Sequence, residues 1–189
     1  EEPLGELRQD EAGHRCRLLL LSSSLISQGS GRGQYRWSHL LRPWVAHLAG
    51  NLDGPMTTQL LSKAGHVTLA PVDAETARQH LKTQLAAWQA GLETPLPLAP
   101  QAAFAWLSKQ GTPDMAQEKG RDSDAYAAAE TAYEGGRYQT GEVAQSAYLS
   151  HQWPRFERLF FEQANGHTFA TLVEALYAPL FFAVKGKKE

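Results

Sequence analysis

Arg15-Cys-Arg-Leu-Leu-Leu-Leu-Ser-Ser-Ser-Leu-Ile26 is a run of apolar and β-compatible residues, and together with the segment after it this run decides the fold. It is too short to cross a membrane and holds no turn signal, so it reads as a buried strand that can bend. Gln28-Gly-Ser-Gly-Arg-Gly33 then reads as a hairpin turn, because its glycines adopt positive φ at little cost. Gln34-Tyr-Arg-Trp37 alternates like a return strand. Ser38 is positioned to cap a helix with Leu41, Val45 and Leu48 on one face. Pro43 belongs in the first turn of that helix, and Gly50-Asn51 ends it.

Outward from this block, Leu4 to Arg8 reads as a short strand. Pro55 to Leu61 and His66 to Ala70 flank Lys63-Ala-Gly65 as a second hairpin. Asp73 is a good N-cap for a helix with Ala77, Leu81, Leu85 and Trp88 on one apolar stripe, ending at Gly91. Pro95, Pro97 and Pro100 mark an extended connector. Gln101 to Lys109 is a short helix, and 110–123 a polar loop. Asp124 to Tyr133 is a helix stopped by Gly135-Gly136, and a loop leads on to 142–150. Two helices follow, Arg155 to Gln163 and Phe169 to Leu180, the second ended at Pro179. Strands and helices come first and helices alone later, which defines an α+β domain. One domain over 1–189 is expected, with a β-rich half at 1–100 and a helical half at 101–189.

The chain has 189 residues, 42% of them hydrophobic, enough to bury a core and to exclude wholesale disorder. Eighteen basic and twenty acidic residues sum to a formal charge of −2, which argues against a free DNA-coating protein. The sum hides an uneven distribution. Between Ala12 and Leu52 lie Arg15, Arg17, Arg32, Arg36 and Arg42 and no acid, whereas Asp114 to Glu142 is acidic. Cys16 is the single cysteine, so an internal disulfide framework and a cysteine-based zinc site are excluded, and a reducing, cytoplasmic location is expected. The first residues do not read as a signal peptide, and without an initiator Met the chain is expected to begin inside a longer protein.

Familiar catalytic signatures are absent from the sequence: no phosphate-binding P-loop, no G-x-S-x-G and no H-E-x-x-H. None of the seven histidines pairs at i, i+4 with another on a helix. His39 and His47 are eight apart, too far along a helix to share a metal. Pro113-Asp114 with Glu118-Lys119 mimics a metal-dependent nuclease signature. That chemistry needs the carboxylate and the lysine two apart on a strand, and these are adjacent. No cofactor, metal or catalytic residue is expected.

Several blocks in order carry a resemblance. They are Tyr35-Arg-Trp-Ser-His-Leu-Leu-Arg-Pro-Trp-Val-Ala-His-Leu-Ala49, Thr68-Leu-Ala-Pro-Val72 with the helix from Ala77 to Gly91, and Gly91-Leu-Glu-Thr-Pro-Leu-Pro-Leu-Ala-Pro100. Further on come Ala132-Tyr-Glu-Gly-Gly136, Gly141-Glu142 and Ala178-Pro-Leu180. From about Leu4 to Phe182 they resemble the C-terminal domain of RecC, the gamma subunit of exodeoxyribonuclease V. The resemblance implies a degenerate PD-(D/E)xK nuclease-like fold, with a small mixed sheet, flanking helices and a helical C-terminal part. It places the two strands of the lost active site at Leu18–Ile26 and Gln34–Ser38. These offer Ser22, Ser23, Ser24, Tyr35, Arg36, Trp37 and Ser38, with no carboxylate or lysine to hold a divalent metal. In one departure, family members often carry an acidic stretch after Gly141-Glu142, where this chain has Val143-Ala-Gln-Ser146.

The resemblance implies a non-catalytic DNA-handling and scaffolding domain of a RecBCD-type complex in double-strand-break repair and recombination. Its partners would be RecB-like and RecD-like subunits and DNA, with no membrane. Arg32, Tyr35, Arg36, Trp37 and Arg42 are the candidate DNA contacts, since arginine binds phosphate and aromatics stack on unpaired bases. The alternative is a protein–protein assembly module without DNA contact. Phe160 and Phe161 are its candidate partner contacts, because adjacent residues on a helix cannot share one narrow core stripe.

Overall fold

Leu7–Gln9 (β1) pairs antiparallel with Arg15–Leu21 (β2) and opens a four-stranded sheet. This and all other geometry comes from a computed structural model, which describes residues 7–9, 11, 13–27, 34–137 and 139–185. After β2 the chain bends, and Ile26–Ser27 (β3) pairs antiparallel with Gln34–Tyr35 (β4). The expected turn at 28–33 lies outside the described residues. Ser38–Asn51 (α1) then crosses over to Met56–Ser62 (β5), which runs parallel to β2, and His66–Leu69 (β6) returns antiparallel to β5. The sheet order is β1-β2-β5-β6. The parallel β2–β5 pair needs the long crossover that α1 provides, and the result is a small mixed sheet of the expected α+β class.

The chain divides into two compact units, one of residues 1–83 with 182–189, the other of residues 84–181. In the first unit Met56, Thr58 and Leu60 of β5 are buried together with Val67 and Leu69 of β6. The register sets Leu19 beside Leu60 and Thr58 beside Leu69, so these side chains share one face of the sheet. The opposite face is more open: Leu18 is 37% and Leu20 76% exposed. The 15–26 run is therefore not one buried strand. It is β2, a bend and β3, and no residue of β2 is fully buried.

Helix α1 also departs from its expected placement. Ser38 is its first residue, not its cap, and Trp37 before it already has helical dihedrals of −56° and −33°. Pro43 lies inside the helix, beyond the first turn. The buried side carries Leu40, Trp44, His47, Leu48 and Asn51, whereas Val45 is 44% exposed. Counting apolar residues alone mis-phased the helix, because two polar residues, His47 and Asn51, are on its buried side.

Asp73 does cap Ala74–Glu93 (α2), its Oδ1 accepting from the Thr76 N–H at 2.9 Å. The stripe proposed as its core face is buried only at Ala77; Leu85, Trp88 and Leu92 are 59%, 61% and 69% exposed. An amphipathic period shows that a helix has an apolar side, not that anything covers it.

The second unit is mostly helical. Pro100–Ser108 (α3) is followed by Pro113–Glu118 (α4), which replaces part of the expected polar loop and is capped by Thr112. Ser123 caps Asp124–Glu134 (α5). Gly135–Gly136 (β7) and Gln139–Thr140 (β8) form a small ladder. The segment at 142–150 to which the expected loop leads holds Glu142–Gln145 (α6) and Ala147–Gln152 (α7). Phe156–Phe161 (α8) and Phe169–Leu176 (α9) follow in this unit, and Ala178–Lys185 (α10) begins in it and ends in residues assigned to the first. Pro179 thus falls at the start of a helix, where its missing N–H does no harm, and does not end one. Trp106, Phe156, Phe160 and Phe169 are all buried, with Phe156 edge-on to Phe169 at 5.4 Å between ring centres.

A candidate nucleic-acid interface in a basic cleft

The turn between β5 and β6 fixes the bend after β2. The Ala64 carbonyl accepts from the backbone N–H groups of Leu25 and Ile26 at 3.0 and 3.1 Å, and the Ser62 hydroxyl accepts from the Leu25 N–H at 3.1 Å. Gly65, at φ +99°, passes so close that a Cβ there would stand 2.6 Å from Ile26 Cγ1. The Arg36 N–H then reaches the Leu25 carbonyl at 2.7 Å, extending the β3–β4 ladder to the edge of α1.

This arrangement leaves a cleft of about 470 Å³ between the end of β2 and α1. Arg17, Leu19 and Leu21 alternate along β2 to form its floor, and Ser22 and Ser23 stand at the bend. Ser38, His39, Arg42, Pro43 and Ala46 come from α1, where 39, 42, 43 and 46 share one side. Among the described residues no carboxylate lines the cleft. The Nδ1 atom of His39 is buried without a hydrogen-bond partner among the described residues.

The candidate residues divide. Arg42 lines the cleft. Arg36 is exposed outside it, on the segment where Tyr35 and Trp37 are half-buried with their rings 5.6 Å apart. Arg32 lies outside the described residues. Ser38 meets the adjacent pair Ser22 and Ser23, well before it in sequence, around one cleft, whereas Ser24 does not line it. Sequence reasoning missed Arg17 and His39. The signals were there: Arg17 alternates in phase with Leu19 and Leu21, and His39 precedes Arg42 by three on a helix.

Helix α1 is tied to the sheet by buried polar groups. His47 Nε2 is 3.1 Å from the Ala70 carbonyl, which can only accept, so Nε2 carries the proton. Nδ1 then accepts from the Thr58 hydroxyl at 2.9 Å. Burial favours this neutral form and lowers the His47 pKa, against the opposing pull of the Ala70 carbonyl. Asn51 uses all four of its hydrogen-bonding positions. Its Nδ2 donates to the His47 and Met56 carbonyls, and its Oδ1 accepts from the Met56 and Val72 N–H groups.

In the second unit the Phe160–Phe161 pair splits. Phe160 is 4% exposed and packs in the aromatic core, whereas Phe161 is 49% exposed beneath the Arg121 guanidinium, 5.6 Å from its ring centre. Asp114 and Glu118 lie on α4. Among the described residues no group of three or more His, Cys, Asp or Glu side chains is placed to hold a metal ion, and no helix is long and apolar enough to cross a membrane.

The fold and the cleft define a small α+β domain with a cationic groove, free of carboxylates among the described residues, at the end of a mixed sheet. A family model of the RecC C-terminal domain matches residues 3–111, more than half of the chain, and the chain belongs to that family. Membership makes it part of the gamma chain of exodeoxyribonuclease V, a RecBCD-complex subunit of DNA repair and recombination. The matched range takes in the sheet, the cleft and α3; the blocks at 132–136, 141–142 and 178–180 lie beyond it. No curated protein matches the chain.

Proposed function

We propose that this domain handles DNA without cutting it and holds its place among RecB-like and RecD-like subunits of a cytoplasmic RecBCD-type complex. The observation that carries this reading is the concentration of arginine and aromatic side chains at the β4–α1 junction, where Arg36 and Arg42 are exposed and take part in none of the ion pairs among the described residues. Guanidinium groups positioned this way suit the phosphate backbone, and half-exposed rings such as Tyr35 and Trp37 suit unpaired bases. The degenerate nuclease reading draws support from the serines around the cleft, at the place where a metal-dependent nuclease of this topology would need carboxylates and a lysine. The test is Arg32→Ala with Arg36→Ala in the assembled complex. DNA affinity should fall, and the slope of log affinity against log salt should flatten by close to ~0.9 for each lost phosphate contact on duplex DNA. An unchanged slope removes the assignment of these arginines to DNA.

A second reading, an assembly module without DNA contact, is favoured by the exposed row Leu85, Trp88 and Leu92 on α2 and by Phe161. Under that reading Trp88→Lys weakens subunit association and leaves the salt slope of DNA binding untouched.

A further inference from the structure

We infer that the cleft between β2 and α1 is a binding site for a single phosphate group, with Arg42, His39 and the Ser22, Ser23 and Ser38 hydroxyls as its donors. That this phosphate belongs to a nucleic-acid strand rests on the function proposed above; the site itself rests on the chemistry of its lining. Among the described residues every polar side chain in the cleft can donate a hydrogen bond, and none carries negative charge. A cation or a metal would find no anionic ligand there. A tetrahedral oxyanion would find a guanidinium, whose planar fork matches two phosphate oxygens, and hydroxyls on the facing side.

His39 Nδ1 is buried with no hydrogen-bond partner among the described residues, and an oxyanion in the cleft is a partner of the right kind. The remaining walls, Leu19, Leu21, Pro43 and Ala46, are apolar, so they lower the local dielectric and strengthen attraction to the Arg42 guanidinium. The volume of about 470 Å³ falls in the range of small-ligand sites, roughly 300–1,000 Å³, which leaves room for a sugar beside the phosphate.

The test uses Arg42→Gln and, separately, Ser22→Ala with Ser23→Ala. All three residues are exposed, so the substitutions leave the core intact. Inorganic phosphate is titrated onto the full-length subunit, and DNA is titrated onto the assembled complex across a salt series. Both variants should bind inorganic phosphate at least tenfold more weakly than the wild type. Arg42→Gln should reduce the salt slope by about 0.9 on duplex or 0.7 on single-stranded DNA, one phosphate's worth. One uncharged methylphosphonate in the bound strand should weaken the wild type by a similar factor and the Arg42→Gln complex no further. Weaker phosphate binding with an unaltered DNA slope supports the site with free phosphate as its ligand, and leaves the DNA reading to the Arg32 and Arg36 result. Unchanged phosphate binding together with an unchanged slope overturns the site, whatever the Arg32 and Arg36 variants do.

Discussion

His47 and Thr58 meet at 2.9 Å inside the first unit, the hydroxyl of the strand donating to the imidazole of the helix. The bond ties the crossover helix, which forms one wall of the basic cleft, to β5, the parallel neighbour of the strand that forms its floor.

The neutral state of His47 makes the stability of this unit pH-dependent. Its folded pKa is depressed by burial, so its contribution is complete above the ordinary value near 6.5 and is lost as the pH falls from there toward the folded value. His80, lowered chiefly by burial and partly opposed by Asp73, acts in the same direction. Denaturant midpoints should therefore drop between pH 7.5 and 5.5. His47→Gln should cost about 1–3 kcal/mol at pH 7.5 and shrink the pH slope. A slope of the same size in the variant would show that His47 is not its source.

Asn51→Ala should be among the costliest single changes in the unit. It strands the N–H groups of Met56 and Val72 and removes the donor to two carbonyls, all near a fully buried position. A loss of about 2–4 kcal/mol is expected from equilibrium unfolding. Leu52→Ala, one residue on and exposed, serves as the control and should stay within about 0.5 kcal/mol.

Gly65→Ala should displace the bend that carries Ser22 and Ser23. The new methyl meets Ile26 at 2.6 Å on a backbone with φ +99°. Destabilisation of about 1–3 kcal/mol is expected. Slowed hydrogen exchange at the Leu25 and Ile26 amides should be lost together with it; retained protection there would mean that the turn absorbs the methyl elsewhere.

In the second unit Glu142 caps α3 from a distance of some forty residues in sequence, its two oxygens accepting from the Gln101 and Ala102 N–H groups at 3.1 Å each. Burial raises its pKa more than these bonds lower it. The folded carboxyl thus holds its proton more tightly than the unfolded one, and its contribution is complete below the ordinary value near 4.5 and declines as the pH rises through the folded value. Glu142→Gln should cost about 1–2 kcal/mol, with a gap to the wild type that is wider at pH 4.5 than at pH 7.5. A gap that widens toward neutral pH would contradict the direction of this shift.

The order of elements was legible in the sequence wherever a local rule governed it. Asp73 caps its helix, the 55–70 hairpin forms at Lys63-Ala-Gly65, and Gly135 ends the helix begun at Asp124. The short helices between 113 and 152 were not, since each is a turn or two long and carries too few apolar positions to show a period. The phase of α1 was missed for a different reason. His47 and Asn51 are buried because their partners on β5 and after β6 satisfy them, and those partners are distant in sequence.

By itself the sequence determined the α+β class, the strand–strand–helix order around Arg15–Ala49, the family resemblance and the acid-free run of arginines. These depend on local propensity, periodicity and composition. Tertiary structure alone decided that Arg17, His39 and Arg42 converge with three serines, that Trp44 and Phe160 are core, and that Leu20, Trp88 and Phe161 face outward. A strand or helix pattern fixes which side chains share a face. Which face is covered, and what meets across a crossover connection, is set by contacts between segments many residues apart.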